Sequence, residues 1–270
     1  MNRAEHPPLL IADVQSDVDA RKLAIDRVGV RSLRHPVTFH DGESAQTTAA
    51  QWSLFVALPH DRKGTHMSRM LEIIDAAHGA VAVDALPALL DEICERLEAP
   101  SAELELSFPW FVRKAAPVSG VTSVMDYEIT LRAEGSPGNV VTTISVIVPV
   151  TSLCPSSKAI AEYGAHNQRS HVTMTVRPAS AIALAELVRV AESEASAELY
   201  GVLKRSDEKY VTEHAYERPR FVEDLVRGVA ARLDADPRVE AFRVEAENFE
   251  SIHNHSAYAL IERDKDVEES

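Results

Sequence analysis

One of the two cysteines of this chain, Cys154, stands among groups that handle protons and metal ions. It follows the β-branched run 139–150 and precedes Pro155, which predicts a position at the end of a buried strand. Lys158 and His166 follow it, and a nearby cation favours the thiolate that a nucleophile or a metal ligand requires. A small buried hydrophobic side chain is the structural alternative, because free cysteine is often buried.

A second group of candidate ligands lies near the end of the chain, in residues 246–259. On a regular strand, alternation would place Glu250 and His253 on opposite faces. A turn or bulge at Ser251 and Ile252 would bring both to one side. We therefore expect a ligand site here, with a polar edge strand as the alternative.

A third group occupies residues 205–224, which are too polar for a core element and could form a solvated loop between two helices. Glu223 falls in the first turn of the following helix, where the helix dipole favours a carboxylate. A carboxylate can also accept the N1–H and 2-amino protons of a guanine together. The other acidic and imidazole groups of this segment are Glu208, Glu213, His214 and Glu217.

Basic residues surround Gly64 at the predicted start of a helix, namely Lys63, His66 and Arg69. Backbone N–H groups and cations at a helix N-terminus form an anion site, although many basic helix starts are merely solvated. The chain has no G-x-x-x-x-G-K-[ST], G-x-G-x-x-G or G-x-S-x-G motif, so a nucleotide would be held by another device.

A metal site assembled from the first three groups would combine sulfur, nitrogen and oxygen ligands. Such mixed sets suit Zn²⁺, Fe²⁺ or Mn²⁺, and carboxylates favour the harder ions. No C-x-x-C spacing is present. The four side chains would be Cys154, Glu208, Glu250 and His253.

The elements that must position these residues follow a pattern that occurs twice. Period-two and period-3.6 segments read ββααββ on each side of the turn at 135–138. We predict an α+β fold of antiparallel sheets with paired helices on one face, and edge strands that favour oligomerisation. The predicted divisions are an arm (1–20), a first module (21–136), a second module with most of the metal site (137–264) and an acidic tail (265–270).

The composition excludes several classes of protein. A net charge of −14 argues against a surface that binds nucleic acid or anionic membranes. No apolar run approaches about 18 residues, the minimum for a membrane-spanning helix. Two cysteines form no disulfide framework, and the first residues lack a signal-peptide core, so we expect a cytoplasmic protein.

Four long segments resemble the type IB GTP cyclohydrolases: KGTHMSR, CPSSKAIAEYGAHNQRSHV, DEKYVTEHAYERPRFVED and NFESIHNHSAYA. The resemblance runs from about Asp13 to Glu262. It implies the tunnelling fold, with two ββααββ modules per subunit, and a homotetramer with active sites near subunit interfaces. It also implies metal-assisted hydrolysis at guanine C8, which converts GTP to 7,8-dihydroneopterin triphosphate and formate in the first step of tetrahydrofolate biosynthesis.

The resemblance also implies roles for individual residues. Cys154, Glu208, Glu250 and His253 would hold a divalent metal (Zn, Mn or Fe), with Cys154 also counted as catalytic. His166 would be the catalytic proton carrier, and Glu223 would anchor the guanine. The candidates for the triphosphate are Lys63, His66 and Arg69, together with Arg177, Lys204 and Arg205.

The sequence departs from the family pattern at Ser156, where CPCSK is common. We expect the missing cysteine to be dispensable, because the rest of the motif is intact. Two alternatives remain: a tunnelling-fold nitrile reductase with Cys154 as nucleophile, and a non-catalytic purine- or metal-binding protein. Neither assigns catalytic roles to the Glu and His clusters.

Overall fold

The computed structural model describes residue 15, residues 17–42 and residues 44–265. Within these residues, nine strands form one antiparallel sheet in the order β1-β2-β3-β4-β5-β6-β8-β9, and the short β7 pairs with β5. The strands are β1 (Ile25–Asp41), β2 (Ser44–Leu58), β3 (Ala102–Ala115), β4 (Thr122–Ser136), β5 (Asn139–Leu153), β6 (Asn167–Pro178), β7 (Ala197–Glu198), β8 (Val239–Asn248) and β9 (Ala257–Asp264).

Helices follow the predicted positions and add two more. They are α1 (Met67–Ala77), α2 (Leu86–Leu97), α3 (Pro155–Ile160), α4 (Leu184–Glu194), α5 (Arg205–Glu217) and α6 (Val222–Ala235). The segment containing α5 is a helix and not the solvated loop that its polarity allowed. Most of the predicted arm and all but the first residue of the predicted tail lie outside the described residues.

Hydrophobic periodicity explains which faces of the helices and strands are buried. In β3 each second residue is buried from Ala102 to Trp110, as expected for a strand with one face in the core. The buried residues of α1 are Met70, Ile73 and Ile74, whereas Leu71 is exposed on another face of the helix. The apolar residues of both modules form one continuous core between the sheet and the helices.

The sheet divides between the two modules. β4 and β5 leave the turn at 136–139 as a hairpin and pair as far as Glu128 and Ile147. Beyond that point β4 pairs only with β3. β5 continues to pair with β6, and β7 pairs with β5 at Val150 and Thr151. The segment from β7 to α5 therefore lies where the two halves of the sheet separate.

A buried ionic cluster joins the two modules at this division. Lys114 Nζ of β3 lies 2.6 Å from Glu192 Oε1 of α4 and 2.6 Å from Glu198 Oε2 of β7. The Tyr127 hydroxyl of β4 donates to Glu192 Oε1 at 2.9 Å. Burial raises the pKa of Glu192, and the Lys114 ammonium opposes that shift. The cluster therefore holds α4 and β7 of the second module against the first module.

Among the described residues, no helix is both long enough and apolar enough to cross a membrane.

Candidate functional site

Polar residues replace apolar ones at the end of the sheet where β5 and β8 end and β6 begins, which we call the Cys154 end. On β5 the buried residues Val148 and Val150 are followed by Ser152. On β8 the buried Val244 and Ala246 are followed by Asn248. Period-two alternation keeps these residues on the core face, so the core ends in a layer of hydrogen-bonding groups.

Three buried side chains connect the strands of this layer. Ser152 Oγ lies 2.7 Å from Ser170 Oγ, and the Ser170 hydroxyl donates to Asn248 Oδ1 at 2.6 Å. Ser152 and Ser170 are fully buried, and Asn248 is nearly so. Buried hydroxyl groups are costly unless they are hydrogen-bonded, so these bonds fix the relative positions of β5, β6 and β8.

Cys154 is half-buried and stands immediately after β5, as its sequence context predicted. Its backbone is extended, it caps α3, and its Sγ accepts the Ser157 N–H at 3.4 Å. The Cys154 N–H donates to the His166 carbonyl oxygen at 3.1 Å, which extends the β5–β6 ladder by one pair. The two residues are therefore neighbours across the strand ends. Ser156 is exposed on α3.

The His166 ring joins β6 to the loop 249–256. Its Nδ1 lies 3.1 Å from Gln168 Oε1 and 3.3 Å from Ser251 Oγ. Glu250 is half-buried in that loop, whereas His253 is exposed and stacks on His255 with ring centroids 5.2 Å apart. The predicted turn at Ser251 and Ile252 is therefore part of a full loop that begins beside His166.

Glu223 also lies at the Cys154 end. The Arg220 N–H donates to the Leu153 carbonyl oxygen at 3.0 Å, which holds the start of α6 against the end of β5. Asp224 Oδ2 accepts the Phe221 N–H at 3.0 Å and caps α6. This leaves the exposed Glu223 in the first turn, the position that the sequence predicted.

Glu208 is exposed in the first turn of α5, beside the fully buried Asp207. Asp207 accepts hydrogen bonds from the Val118 and Ser119 N–H groups, the Ser119 hydroxyl and the Lys204 N–H. Burial alone would raise the pKa of Asp207, but these hydrogen bonds hold it well below its usual range. The β3–β4 turn of the first module thus fixes the start of α5, and Glu208 with it.

The opposite end of α5 contacts the segment after Cys154. Lys158 Nζ donates to the Tyr216 carbonyl oxygen and lies 4.3 Å from the centroid of the Tyr216 ring. Glu208 and Tyr216 are separated by more than two helical turns. Glu208 therefore shares the Cys154 end of the sheet, but it lies at the far end of α5 from α3.

The predicted triphosphate cations Lys63, His66 and Arg69 lie at the opposite end of the sheet. His66 immediately precedes α1, the first helix after β2. Strand register places the end of β2 level with Val140, at the start of β5. Cys154 is therefore roughly 45 Å away along the strand direction at the rise of a β-strand.

Two residues of this basic group contact the arm and the first module. Lys63 Nζ lies 3.6 Å from Asp17 Oδ2, and Arg69 Nη1 donates to the Arg96 carbonyl oxygen at 3.5 Å. Arg177 is also distant from Cys154, at the end of β6 where it pairs with Glu240 and Asp264. Lys204 and Arg205, in contrast, are exposed at the start of α5.

The predicted metal ligands lie at one end of the sheet, but their side chains do not converge on one point. Within the described part of the chain, no three His, Cys, Asp or Glu side chains lie close enough together to hold a metal ion. The donors nevertheless suit a divalent metal, because a half-buried thiol, the Glu250 carboxylate and the His253 imidazole occur on segments that meet at His166.

A sequence model of the family described as type I GTP cyclohydrolase folE2 matches residues 11–259. The chain belongs to this family. GTP cyclohydrolase FolE2 of Aromatoleum aromaticum is 57% identical over 257 residues, covering 94% of each chain. GTP cyclohydrolase FolE2 of Burkholderia thailandensis is 56% identical over 261 residues, covering 96% of this chain and 97% of the relative.

Solved structures with a similar fold are urate oxidases. Urate oxidase from Bacillus subtilis superposes with a TM-score of 0.52 at 8% identity, covering 89% of this chain and 99% of that one. A hyperthermostable mutant of Bacillus sp. TB-90 urate oxidase gives a TM-score of 0.55 at 9% identity, covering 90% and 99%. At such low identity the likeness concerns the fold, and it confirms the predicted tunnelling fold.

The residues that support the candidate site were not predicted from the sequence. Asp207 and Gln168 lie inside the segments that resemble the cyclohydrolase family, but neither was assigned a role. Ser152, Ser170 and Asn248 interrupt the apolar alternation of their strands, and this interruption was the available signal. Their hydrogen bonds join residues distant in the sequence, so only the folded chain shows their partners.

Proposed function

We propose that this chain catalyses the conversion of GTP and water to 7,8-dihydroneopterin triphosphate and formate, as a type IB enzyme with a divalent metal. The observation that carries the proposal is the 56–57% identity to GTP cyclohydrolases FolE2 over nearly the whole chain. The placement of six candidate residues at one end of the sheet supports it. They are Cys154, His166, Glu208, Glu223, Glu250 and His253.

Each residue has a task that its position permits. Cys154, Glu208, Glu250 and His253 would hold the metal, which supplies Lewis acidity so that water can act as a nucleophile near neutral pH. Glu223 accepts the N1–H and 2-amino protons of guanine and orients the base. His166 moves a proton to and from the ring nitrogen next to C8. The exposed Lys204 and Arg205 are candidates for the triphosphate.

Lys63, His66 and Arg69 lie at the end of the sheet opposite Cys154, and this position has a consequence for how subunits assemble. A separation of roughly 45 Å along the sheet exceeds the length of one nucleotide. These cations therefore contribute to triphosphate binding only if a second subunit brings its Leu58 end, the sheet end at which β2 finishes, beside the first subunit's Cys154 end. We propose that such a second subunit belongs to the homotetramer that the family resemblance implies, with the β1 and β9 edges available for pairing between subunits.

The test uses purified metal-free protein incubated with GTP and, separately, Mn²⁺, Fe²⁺ or Zn²⁺. We expect formate release together with dihydroneopterin fluorescence after oxidation, and we expect EDTA to abolish both. Comparing the three ions identifies the preferred metal. Replacing Ser156 by Cys tests the expectation that the second thiol is dispensable, which predicts an unchanged order of metal preference.

The same experiment separates the alternatives. A nitrile reductase would consume NADPH with a deazaguanine nitrile and remain active in EDTA. A purine- or metal-binding protein would bind GTP without releasing formate. Either result in place of formate release would contradict the proposed function.

A further inference from the structure

We propose that Gln168 is a positioning residue that holds the His166 imidazole in the Nδ1–H tautomer, so that Nε2 is the atom that exchanges the catalytic proton. This inference rests on the proposed function for its catalytic meaning. Its structural content, the tautomer and its cause, can be measured independently of any activity.

Gln168 is the second residue of β6, and His166 immediately precedes that strand. The two residues are two positions apart in extended chain, a spacing that allows both side chains to lie on the same side of the backbone. Gln168 is 8% exposed, and its Oε1 lies 3.1 Å from His166 Nδ1. An amide oxygen only accepts hydrogen bonds, so with the Gln168 amide in this orientation the contact places a proton on Nδ1.

The second neighbour of the ring does not compete with this assignment. Ser251 Oγ lies 3.3 Å from the same Nδ1, and a hydroxyl group can donate or accept. Ser251 therefore tolerates both tautomers, whereas the Gln168 oxygen tolerates one. The buried position of Gln168 restricts its movement, while Ser251 stands on an exposed loop.

The tautomer determines which ring nitrogen can accept a proton. With Nδ1–H bonded to Gln168, the neutral ring presents the lone pair of Nε2. Nε2 can accept a proton and return it, and the bond from Nδ1 to Gln168 is kept in both protonation states. A neutral amide also orients the ring without adding a charge to it. The arrangement corresponds to the acceptor that commonly fixes a functional histidine from its second nitrogen.

The decisive measurement is the ¹⁵N–¹H correlation pattern of the His166 ring with the ring neutral, assigned with a His166→Asn variant. We expect the Nδ1–H pattern in the wild-type protein. Gln168→Leu preserves approximate volume but removes the acceptor, and we expect its ring to move toward the Nε2–H pattern. Gln168→Glu keeps an acceptor oxygen and should retain the Nδ1–H pattern. Ser251→Ala should also retain it.

Kinetics then test the catalytic meaning. We expect Gln168→Leu to lower kcat by roughly 10- to 100-fold, the range seen when the partner of a functional histidine is removed, with KM nearly unchanged. Gln46→Leu, which removes a glutamine that bonds to the Phe111 backbone in the first module, is the control and should retain kcat.

Two results would overturn the assigned tautomer and its cause: an Nε2–H pattern in the wild-type protein, or an unchanged pattern in Gln168→Leu. If Gln168→Leu does not fold, the wild-type and Gln168→Glu spectra still decide the tautomer. Absence of formate release by the wild-type protein would instead contradict the proposed function and leave the tautomer measurement valid. A normal kcat in Gln168→Leu with a changed tautomer would remove Gln168 from catalysis.

Discussion

The first module connects its elements by short segments, whereas the second lengthens the three corresponding connections. β1 and β2 meet at 41–44, but β5 and β6 are joined by residues 154–166. α1 and α2 are joined by 78–85, but α4 and α6 are joined by 195–221. The β3–β4 turn, 116–121, is compact and bonds to Asp207, whereas the β8–β9 connection, 249–256, is exposed and bonds to His166.

The lengthened connections hold the candidate chemistry. Cys154 and His166 begin and end the first, Glu208 lies in the second, and Glu250 and His253 lie in the third. Glu223 comes in the first turn after the second connection. The repeated elements supply a common core in both modules, and the segments added to the second module carry the residues proposed to react. On this proposal, the repeated elements are the scaffold and the added segments form the active site.

The two modules each contain one cysteine, and replacing the one in the second module is expected to have the largest effect on activity. Cys154→Ala should reduce formate release to background, because the thiolate proposed as a metal ligand is lost. Its thermal midpoint should stay close to that of the wild type, since Cys154 is half-buried outside the main core. Formate assay and thermal denaturation measure the two quantities.

Cys94→Ala is the matched control. Cys94 is buried on α2 in the first module, and burial raises the pKa of its thiol. We expect about 1 kcal/mol of lost stability and full activity. Full activity in Cys154→Ala would show that the lengthened β5–β6 connection does not supply a metal ligand.

The next effect concerns Glu223. Glu223→Gln removes one acceptor and the negative charge proposed to face the guanine, so we expect a loss of about 1.5–3 kcal/mol in binding free energy, which raises KM by roughly 10- to 150-fold. Glu186→Gln is the control, since Glu186 stands in the first turn of α4 and pairs with Arg238 at 2.7 Å. Equal KM values for both variants would remove Glu223 from the guanine pocket.

Asp207 tests whether the first module helps to place α5. Asp207→Asn weakens the hydrogen bonds to Val118, Ser119 and Lys204, so we expect a thermal midpoint several degrees lower and reduced activity. Glu213→Gln, at an exposed position of the same helix, should change neither. An unchanged midpoint in Asp207→Asn would show that this contact between modules is dispensable.

The pH dependence of this effect has a definite sign. The pKa of Asp207 is lower in the folded protein than in the unfolded chain. Its stabilisation is therefore fully present above the unfolded pKa of about 4 and is lost as pH falls toward the folded pKa. Thermal midpoints of the wild type and of Asp207→Asn should converge below about pH 4. A constant difference across that range would contradict the assignment.

The smallest effect is expected in the core of the first module. Ile93 is fully buried on α2, and Ile93→Val should cost about 0.5–1.5 kcal/mol in the free energy of unfolding. Because this helix lies away from the lengthened connections, kcat and KM should remain unchanged. Denaturant unfolding and steady-state kinetics check both statements, and an altered kcat would show that the modules are more tightly coupled than proposed.

Much of the fold follows from local patterns along the chain. Alternation in β3 and the 3.6-residue period of α2 and α6 match the elements that formed, because each presents one apolar face to the core. The match to the type I GTP cyclohydrolase folE2 family agrees with the predicted cyclohydrolase resemblance, whose motifs are long continuous segments. The pattern was weakest for α5, whose polar sequence lacks an extensive apolar face; Asp207 and Ala215 are its buried residues.

The sequence by itself determined the repeated ββααββ order, the position of Cys154 at a strand end and the position of Glu223 in a first helical turn. Tertiary structure decided which distant segments meet. It set His166 between Gln168 and Ser251, placed Glu208 through Asp207, and put Lys63 at the opposite end of the sheet from Cys154. Periodicity reports which face of an element is buried, whereas strand register and long-range hydrogen bonds decide which residues become neighbours.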